Sequence, residues 1–115
     1  MGTRRYNLSY LKEISGGDES FIIDMIQTFI VNTPEEIALL RSLAEQKEWD
    51  KIGENAHRFA PGLQFLGVVS LRPVINQIEE FSFGKKNLAL LPALIDKLDK
   101  ECQLVSEELK TDFNL

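Results

Sequence analysis

The residue of this chain best suited to chemistry is its single histidine, His57. A neutral imidazole nitrogen is a competent nucleophile near pH 7. The chain has a single cysteine, Cys102, which excludes an internal disulfide and a cysteine metal cluster. Its single histidine likewise excludes a multi-histidine metal site. The sequence has neither a paired His–Cys nucleophile nor a P-loop. These observations argue against an enzyme and predict no cofactor bound to the chain itself.

The surroundings of His57 on its predicted helix carry little side-chain bulk. At about 100° per residue, His57 lies roughly 140° from Ile52, at the edge of the predicted buried stripe. That stripe contains Ile52, Ala56, Phe59, Leu63 and Leu66. The residues that share the face of His57 are Gly53, Ala60, Pro61 and Gln64. A solvent-facing helix surface normally carries Lys and Glu, so this face is unusually bare.

Two of these neighbours are unfavourable in a helix. Gly53 costs about 1 kcal/mol relative to Ala, and Pro61 cannot donate the amide hydrogen that the His57 carbonyl would normally accept. These two residues favour the interpretation that the surface of a partner protein approaches His57 closely. A bland interpretation is that His57 is a solvated surface residue, that Gly53 permits close helix packing and that Pro61 is a tolerated kink.

The length of 115 residues, 43% of them hydrophobic, indicates one globular domain, 1–115, with a core from about 8 to 110. The net charge of -5 argues against binding to nucleic acid or to an anionic membrane. Apolar runs are shorter than the roughly 20 residues of a membrane span, and no apolar signal stretch follows the basic first residues. We therefore expect a cytoplasmic monomer without membrane insertion.

Helical spacing of apolar residues recurs throughout and predicts an all-α fold of about five helices. The short connections favour an antiparallel up-down four-helix bundle with an additional short N-terminal helix. Asn7, Asp18, Thr33 and Ser70 are candidate N-caps, and Gly67 closes the helix of His57. Thr33 precedes a proline and marks either a bend in one helix or a restart of a second, nearly collinear one.

Several apolar residues are predicted to face the core from the other helices. The N-terminal ones are Leu8, Leu11, Ile14, Phe21, Ile22, Met25, Ile26 and Phe29, followed by Ile37, Leu40, Leu43 and Ala44. The C-terminal ones are Leu71, Val74, Ile75, Ile78 and Phe81, followed by Leu91, Leu94, Leu98, Cys102, Val105 and Leu109.

The order of these motifs resembles the histidine-containing phosphotransfer (HPt) domain family. The family signature reads Ala-His, one variable residue, Leu or Phe, Lys, Gly and Ser, and ends in Leu-Gly; here 56–62 reads AHRFAPG and 65–67 reads FLG. The opening at 8–21 and the Thr33-Pro34 phrase also resemble such domains. The resemblance covers the chain from about Leu8 to Leu109.

The resemblance implies a phosphocarrier that takes a phosphoryl group from the aspartate of one receiver domain and passes it to another. His57 matches the phosphorylated histidine, and Glu79 matches a residue of the next helix that orients the ring through Nδ1. The implied partners are response-regulator receiver domains and a sensor or hybrid histidine kinase. Mg²⁺ is expected on the receiver, which supplies the catalytic cations.

The sequence departs from the family pattern beside the histidine. The family Lys three residues after the histidine is Ala60, and the following Gly is Pro61. Arg58 points roughly 100° away from His57, so it would reach a phosphoryl group only through its long side chain. Partner contact is predicted to involve Gly53, Ala60, Pro61, Gln64 and Arg58. The departures leave open an alternative, a degenerate HPt-like module that binds receivers without carrying phosphate.

Overall fold

Five amphipathic α-helices account for most of the chain. The computed structural model describes residues 4–115, and within this range no residue forms a β-strand, so the predicted all-α class is confirmed. Two short 3₁₀ turns, Val69–Leu71 and Leu88–Leu90, lead into the last two helices. The helices are α1 (Ser9–Ser15), α2 (Glu19–Glu45), α3 (Trp49–Phe65), α4 (Arg72–Gly84) and α5 (Leu91–Phe113).

The four long helices enclose one apolar core. Helices α2 and α4 each pack against both α3 and α5, so every long helix contacts two neighbours. Each helix contributes side chains with no exposed surface, among them Leu11, Ile26, Ile52, Ile78 and Leu98. Burial of these side chains stabilises the fold by about 1.5–3 kcal/mol each relative to exposure. Among the described residues, no helix combines the length and apolar character needed to cross a membrane.

The helix N-termini agree only partly with the predicted caps. Asp18 caps α2, because its side chain accepts hydrogen bonds from two first-turn amides. Helix α1 begins one residue later than Asn7 would place it, although Asn7 Oδ1 still accepts from the Ser9 amide at 2.9 Å. Ser70 does not cap α4, because a 3₁₀ turn carries the chain into that helix and puts Leu71 at the N-cap.

Thr33 and Pro34 lie inside one continuous α2, so the expectation of an N-cap at Thr33 is wrong. Pro34 has no amide hydrogen and leaves the Ile30 carbonyl without its usual helical donor. The buried Thr33 hydroxyl donates to the Phe29 carbonyl, one turn earlier in the same helix. The helix therefore passes through the proline instead of ending before it.

Most residues predicted to face the core are buried, and the others are exposed or half-buried. Ile14 and Phe21 are exposed, because the last turn of α1 and the first turn of α2 have fewer neighbours to cover them. Met25, Ala44, Phe59 and Leu94 are half-buried. Ile95 lies in the core of α5 although the sequence pattern did not select it.

Cys102 is part of this core. Burial raises the pKa of its thiol to about 12, with the nearby charges of Asp99 and Glu101 contributing in the same direction. The thiol therefore stays protonated near neutral pH and behaves as a small apolar side chain.

The first described residues are tied to the end of α5. Arg4 Nη2 lies 2.6 Å from Asp112 Oδ1, and Arg5 Nη1 lies 2.5 Å from Glu108 Oε2. The Tyr6 hydroxyl donates to Asp112, and burial together with this hydrogen bond raises the pKa of Tyr6 to about 12. The same hydroxyl and Arg4 hold the pKa of Asp112 below its usual value.

Gly67 joins the end of α3 to the segment before α1. Gly67 has a φ of +65°, and its amide donates a hydrogen bond to the Gln64 carbonyl, so it closes the helix as predicted. The Asn7 amide donates to the Leu66 carbonyl at 2.9 Å, which brings the two backbones together. A Cβ at position 67 would lie 2.2 Å from the Asn7 carbonyl oxygen, so only glycine fits.

We predict that Gly67→Ala destabilises the protein more than Gly16→Ala. Gly16 also has a positive φ, of +64°, but nothing lies within 4 Å of the position its Cβ would take. Both substitutions carry the left-handed backbone cost of about 1–2 kcal/mol, whereas only Gly67→Ala also displaces the Asn7 segment. Urea unfolding measures the two losses, and equal values would contradict this account of Gly67.

Candidate functional site

His57 and Glu79 face each other across the contact between α3 and α4. Nδ1 of His57 lies 2.6 Å from Oε1 of Glu79, and the two side chains are 78% and 21% exposed. An ionised carboxylate only accepts hydrogen bonds, so the ring nitrogen donates and Nδ1 carries the proton. In the neutral ring Nε2 is then unprotonated, and it lies on the side of the ring away from Glu79.

The buried faces of the two helices hold this pair in place. On α3, Ile52 and Ala56 have no exposed surface, and Leu63 is nearly buried. On α4, Ile75 and Ile78 are buried immediately before Glu79. The packed side chains fix the rotation of each helix, so a histidine next to Ala56 emerges at the surface while Glu79 lies beside it, half-buried.

Gly53 is not the open surface that the sequence predicted. It is buried under the ring of Phe83, and a Cβ at position 53 would lie 2.7 Å from Phe83 Cζ. The physical reason is helix packing, the bland interpretation of this glycine: without a side chain on α3, the aromatic ring of α4 settles on the backbone. Phe83 itself is 49% exposed, so it forms the surface at this point.

Sequence reasoning did not select Phe83, although its position carried a signal. Phe83 follows Glu79 by four residues, and residues four apart lie on the same helix face. If α3 and α4 run antiparallel and Glu79 lies beside His57, as the sequence predicts, the residue four after Glu79 faces the residue four before His57, which is Gly53.

Arg58 lies on a different surface from His57. Its Nη2 donates to Asn55 Oδ1 at 2.8 Å, and both residues line a cleft between α2 and α3 that does not include His57. Asn55 in turn donates to the Lys51 carbonyl at 2.7 Å. The structure therefore does not bring Arg58 together with the other residues predicted to contact a partner.

A second cleft, of about 340 Å³, opens beside His57 between α3 and α4. The predicted contact residues Ala60, Pro61 and Gln64 line it on the α3 side. Residues of α4 that include Glu79 line it on the other side. Among residues 4–115, no group of three or more His, Cys, Asp or Glu side chains is arranged to hold a metal ion.

The fold and the site together define a class of protein, a helical domain that presents an exposed, hydrogen-bonded histidine beside a small cleft. Residues 24–108 match the family model described as Hpt domain, and the chain belongs to this family. The resemblance seen in the sequence is thereby confirmed, although its opening motif at 8–21 precedes the matched range. No curated protein and no solved structure matches the chain.

Membership of this family implies a part in phosphotransfer within two-component signalling. Domains of the family are generally phosphocarrier modules and not enzymes, and they interact with receiver domains and histidine kinases.

We predict that Glu79→Ala changes the protonation pattern of the His57 ring. With the carboxylate present, the proton of the neutral ring stays on Nδ1. In the variant the Glu79 acceptor is gone, so this hydrogen bond no longer favours Nδ1 over Nε2 as the protonated nitrogen. ¹⁵N NMR of the ring nitrogens measures the change, and Glu80→Ala, which removes the neighbouring exposed carboxylate, is the control. Identical ring spectra for the wild type and Glu79→Ala would refute the pairing.

We also predict that the effect of Gly53→Ala depends on Phe83. In the Phe83→Ala background, Gly53→Ala stabilises α3 by up to about 1 kcal/mol through helix propensity. With Phe83 present the new methyl group displaces the ring, and the substitution destabilises. Gly62→Ala is the matched control, because nothing lies within 4 Å of its Cβ position on the same helix. Thermal unfolding measures each variant; the same effect for both glycines in both backgrounds would contradict the contact.

Proposed function

We propose that His57 accepts a phosphoryl group from the aspartyl phosphate of one receiver domain and passes it to the aspartate of another. The observation that carries this proposal is the exposed imidazole whose Nδ1 is held by Glu79, which leaves Nε2 as the free nucleophile. The family match to residues 24–108 supports the same chemistry.

The transfer balances without an additional base. The lone pair of Nε2 forms an N–P bond while the O–P bond of the aspartyl phosphate breaks, and the carboxylate leaves with the electron pair. Nε2 has no proton to lose, and the ring becomes a cationic phosphoimidazolium that keeps its proton on Nδ1. The Glu79 carboxylate, 2.6 Å away, stabilises this positive charge. The return transfer to a second receiver reverses these bond changes.

The partner supplies the remaining catalytic groups in this proposal. The receiver brings Mg²⁺ and the cations that stabilise the transferring group, so this chain contributes a positioned nucleophile and a docking surface, with no cofactor of its own. Ala60, Pro61 and Gln64 border His57 and are the residues we expect to contact the receiver. Phe83 takes the place that the sequence gave to Gly53.

We infer that the four long helices run alternately up and down as an antiparallel bundle. The helices are joined by short segments, the longest of six residues and each within the range for neighbouring antiparallel helices. His57 and Glu79 come from one chain, so the site is complete in a monomer, and we expect the domain to work as a monomer in the cytoplasm.

A second candidate is a module that binds receivers without carrying phosphate. Ala60 favours it, because the position one turn after His57 provides no positive charge for a phosphoryl group. The nucleophile and its carboxylate partner are both present, however, and a docking module has no use for a ring held by Nδ1. Phosphotransfer therefore accounts for more of the site.

We predict that a phosphorylated receiver labels this protein on His57. The label is expected to be acid-labile and alkali-stable, as a phosphoramidate is, and to be absent from His57→Gln. Incubation with ³²P-labelled receiver followed by acid or alkali treatment measures it. Circular dichroism of His57→Gln checks that the loss is not due to unfolding, which is not expected for an exposed side chain. Receiver binding with no label on the wild type would support the docking module instead.

A further inference from the structure

Among residues 4–115, Arg72 is the one arginine or lysine that lines the cleft beside His57. Arg72 is the first residue of α4 and is exposed. Within the described part of the chain its guanidinium makes no ion pair or side-chain hydrogen bond, in contrast to Arg4, Arg5 and Arg41. The carboxylate of Glu79, which lines the same cleft, is hydrogen-bonded to the His57 ring.

Arg72 and His57 line the same cleft, one from α4 and the other from α3. Arg72, Asn76 and Glu79 lie at i, i+4 and i+7, and therefore on one face of the helix. Glu79 reaches Nδ1 of His57, and Arg72 begins about 10 Å further along the helix axis. When it extends along the cleft, an arginine side chain is long enough to span much of that separation and to meet a phosphoryl group on Nε2.

A phosphoryl group on His57 would need a positive charge at this point. It would stand close to the Glu79 carboxylate, whose negative charge opposes that of the phosphoryl oxygens. Position 60, which lines the same cleft one turn from His57, is alanine and contributes no charge. A guanidinium matches phosphoryl oxygens with paired N–H donors and stays charged at any physiological pH.

We propose that Arg72 binds the phosphoryl group of phospho-His57 across this cleft and thereby stabilises the phosphorylated carrier. The inference rests on the proposed phosphorylation of His57 and goes beyond it by assigning a residue of α4 to hold the transferred group. Because Arg72 stabilises the phosphorylated state of the carrier, it shifts the equilibrium constant of the transfer as well as the transfer rate.

The decisive measurement is the equilibrium constant for exchange of the phosphoryl group between a receiver and this protein. Arg72→Ala is expected to lower that equilibrium constant, written toward phospho-His57, by about 2- to 10-fold, the range of one hydrogen bond of about 0.5–1.5 kcal/mol. A residue that only helps docking changes the forward and reverse rates equally and leaves this constant unchanged. An unchanged constant for Arg72→Ala would overturn the proposal.

Three further variants sharpen the result. Arg72→Lys keeps the charge and should retain most of the phospho-His57 share at equilibrium. Ala60→Lys, placed in the Arg72→Ala background, supplies a cation from α3 and should restore the lost share. Lys100→Ala removes an exposed cation of α5 that does not line the cleft, and should leave the equilibrium constant at the wild-type value. Failure of both Lys variants to retain or restore the share would refute a role through charge.

A second readout needs no receiver. Phosphoramidate labels accessible histidines directly, and ³¹P NMR then follows the phosphoryl resonance of phospho-His57 with pH. Removing a nearby cation destabilises the dianion, so the titration midpoint should move to higher pH in Arg72→Ala and stay in place in Lys100→Ala. Absence of any label on the wild type, from receiver and from phosphoramidate, would refute the proposed function itself. A labelled wild type with identical midpoints for wild type and Arg72→Ala would refute only the role of Arg72.

Discussion

The hydrogen bond between Nδ1 of His57 and Oε1 of Glu79 is the interaction on which the site depends. It joins α3 to α4 at 2.6 Å and assigns opposite tasks to the two ring nitrogens. An imidazole that is 78% exposed would otherwise rotate freely and share its proton between both nitrogens. The bond therefore converts an ordinary surface histidine into a nucleophile of fixed direction, and it requires that the two helices keep one relative position.

Two further contacts between the first turns of α3 and the last turn of α4 maintain the position of the two helices. One turn away the Phe83 ring rests on the Gly53 backbone, which leaves no room for the helices to rotate inward. At the far end of the contact, Lys85 forms an ion pair with Asp50. The pair is exposed and adds little stability, so the buried apolar residues and the aromatic contact hold the register.

The periodicity of apolar residues predicted the helices and their buried faces. It failed at Thr33 and Gly53, because threonine and glycine each occur in proteins for more than one structural reason. Thr33 before a proline has the composition of a helix start, yet its hydroxyl bonds within a continuous α2. Gly53 was taken for an open surface because a missing side chain says nothing about what fills its place, which here is Phe83. The position of His57 could be predicted from the helix repeat, and its pairing with Glu79 from the family resemblance. The cleft and Arg72 could not, because they depend on how two helices meet.

The ties of Arg4, Arg5 and Tyr6 to the last turns of α5 place the first described residues against the end of the final helix. These contacts join segments more than 100 residues apart in the sequence, so they close the bundle between its first and last described parts. Asp112 serves two of them, and loss of its carboxylate would release Arg4 and Tyr6 together.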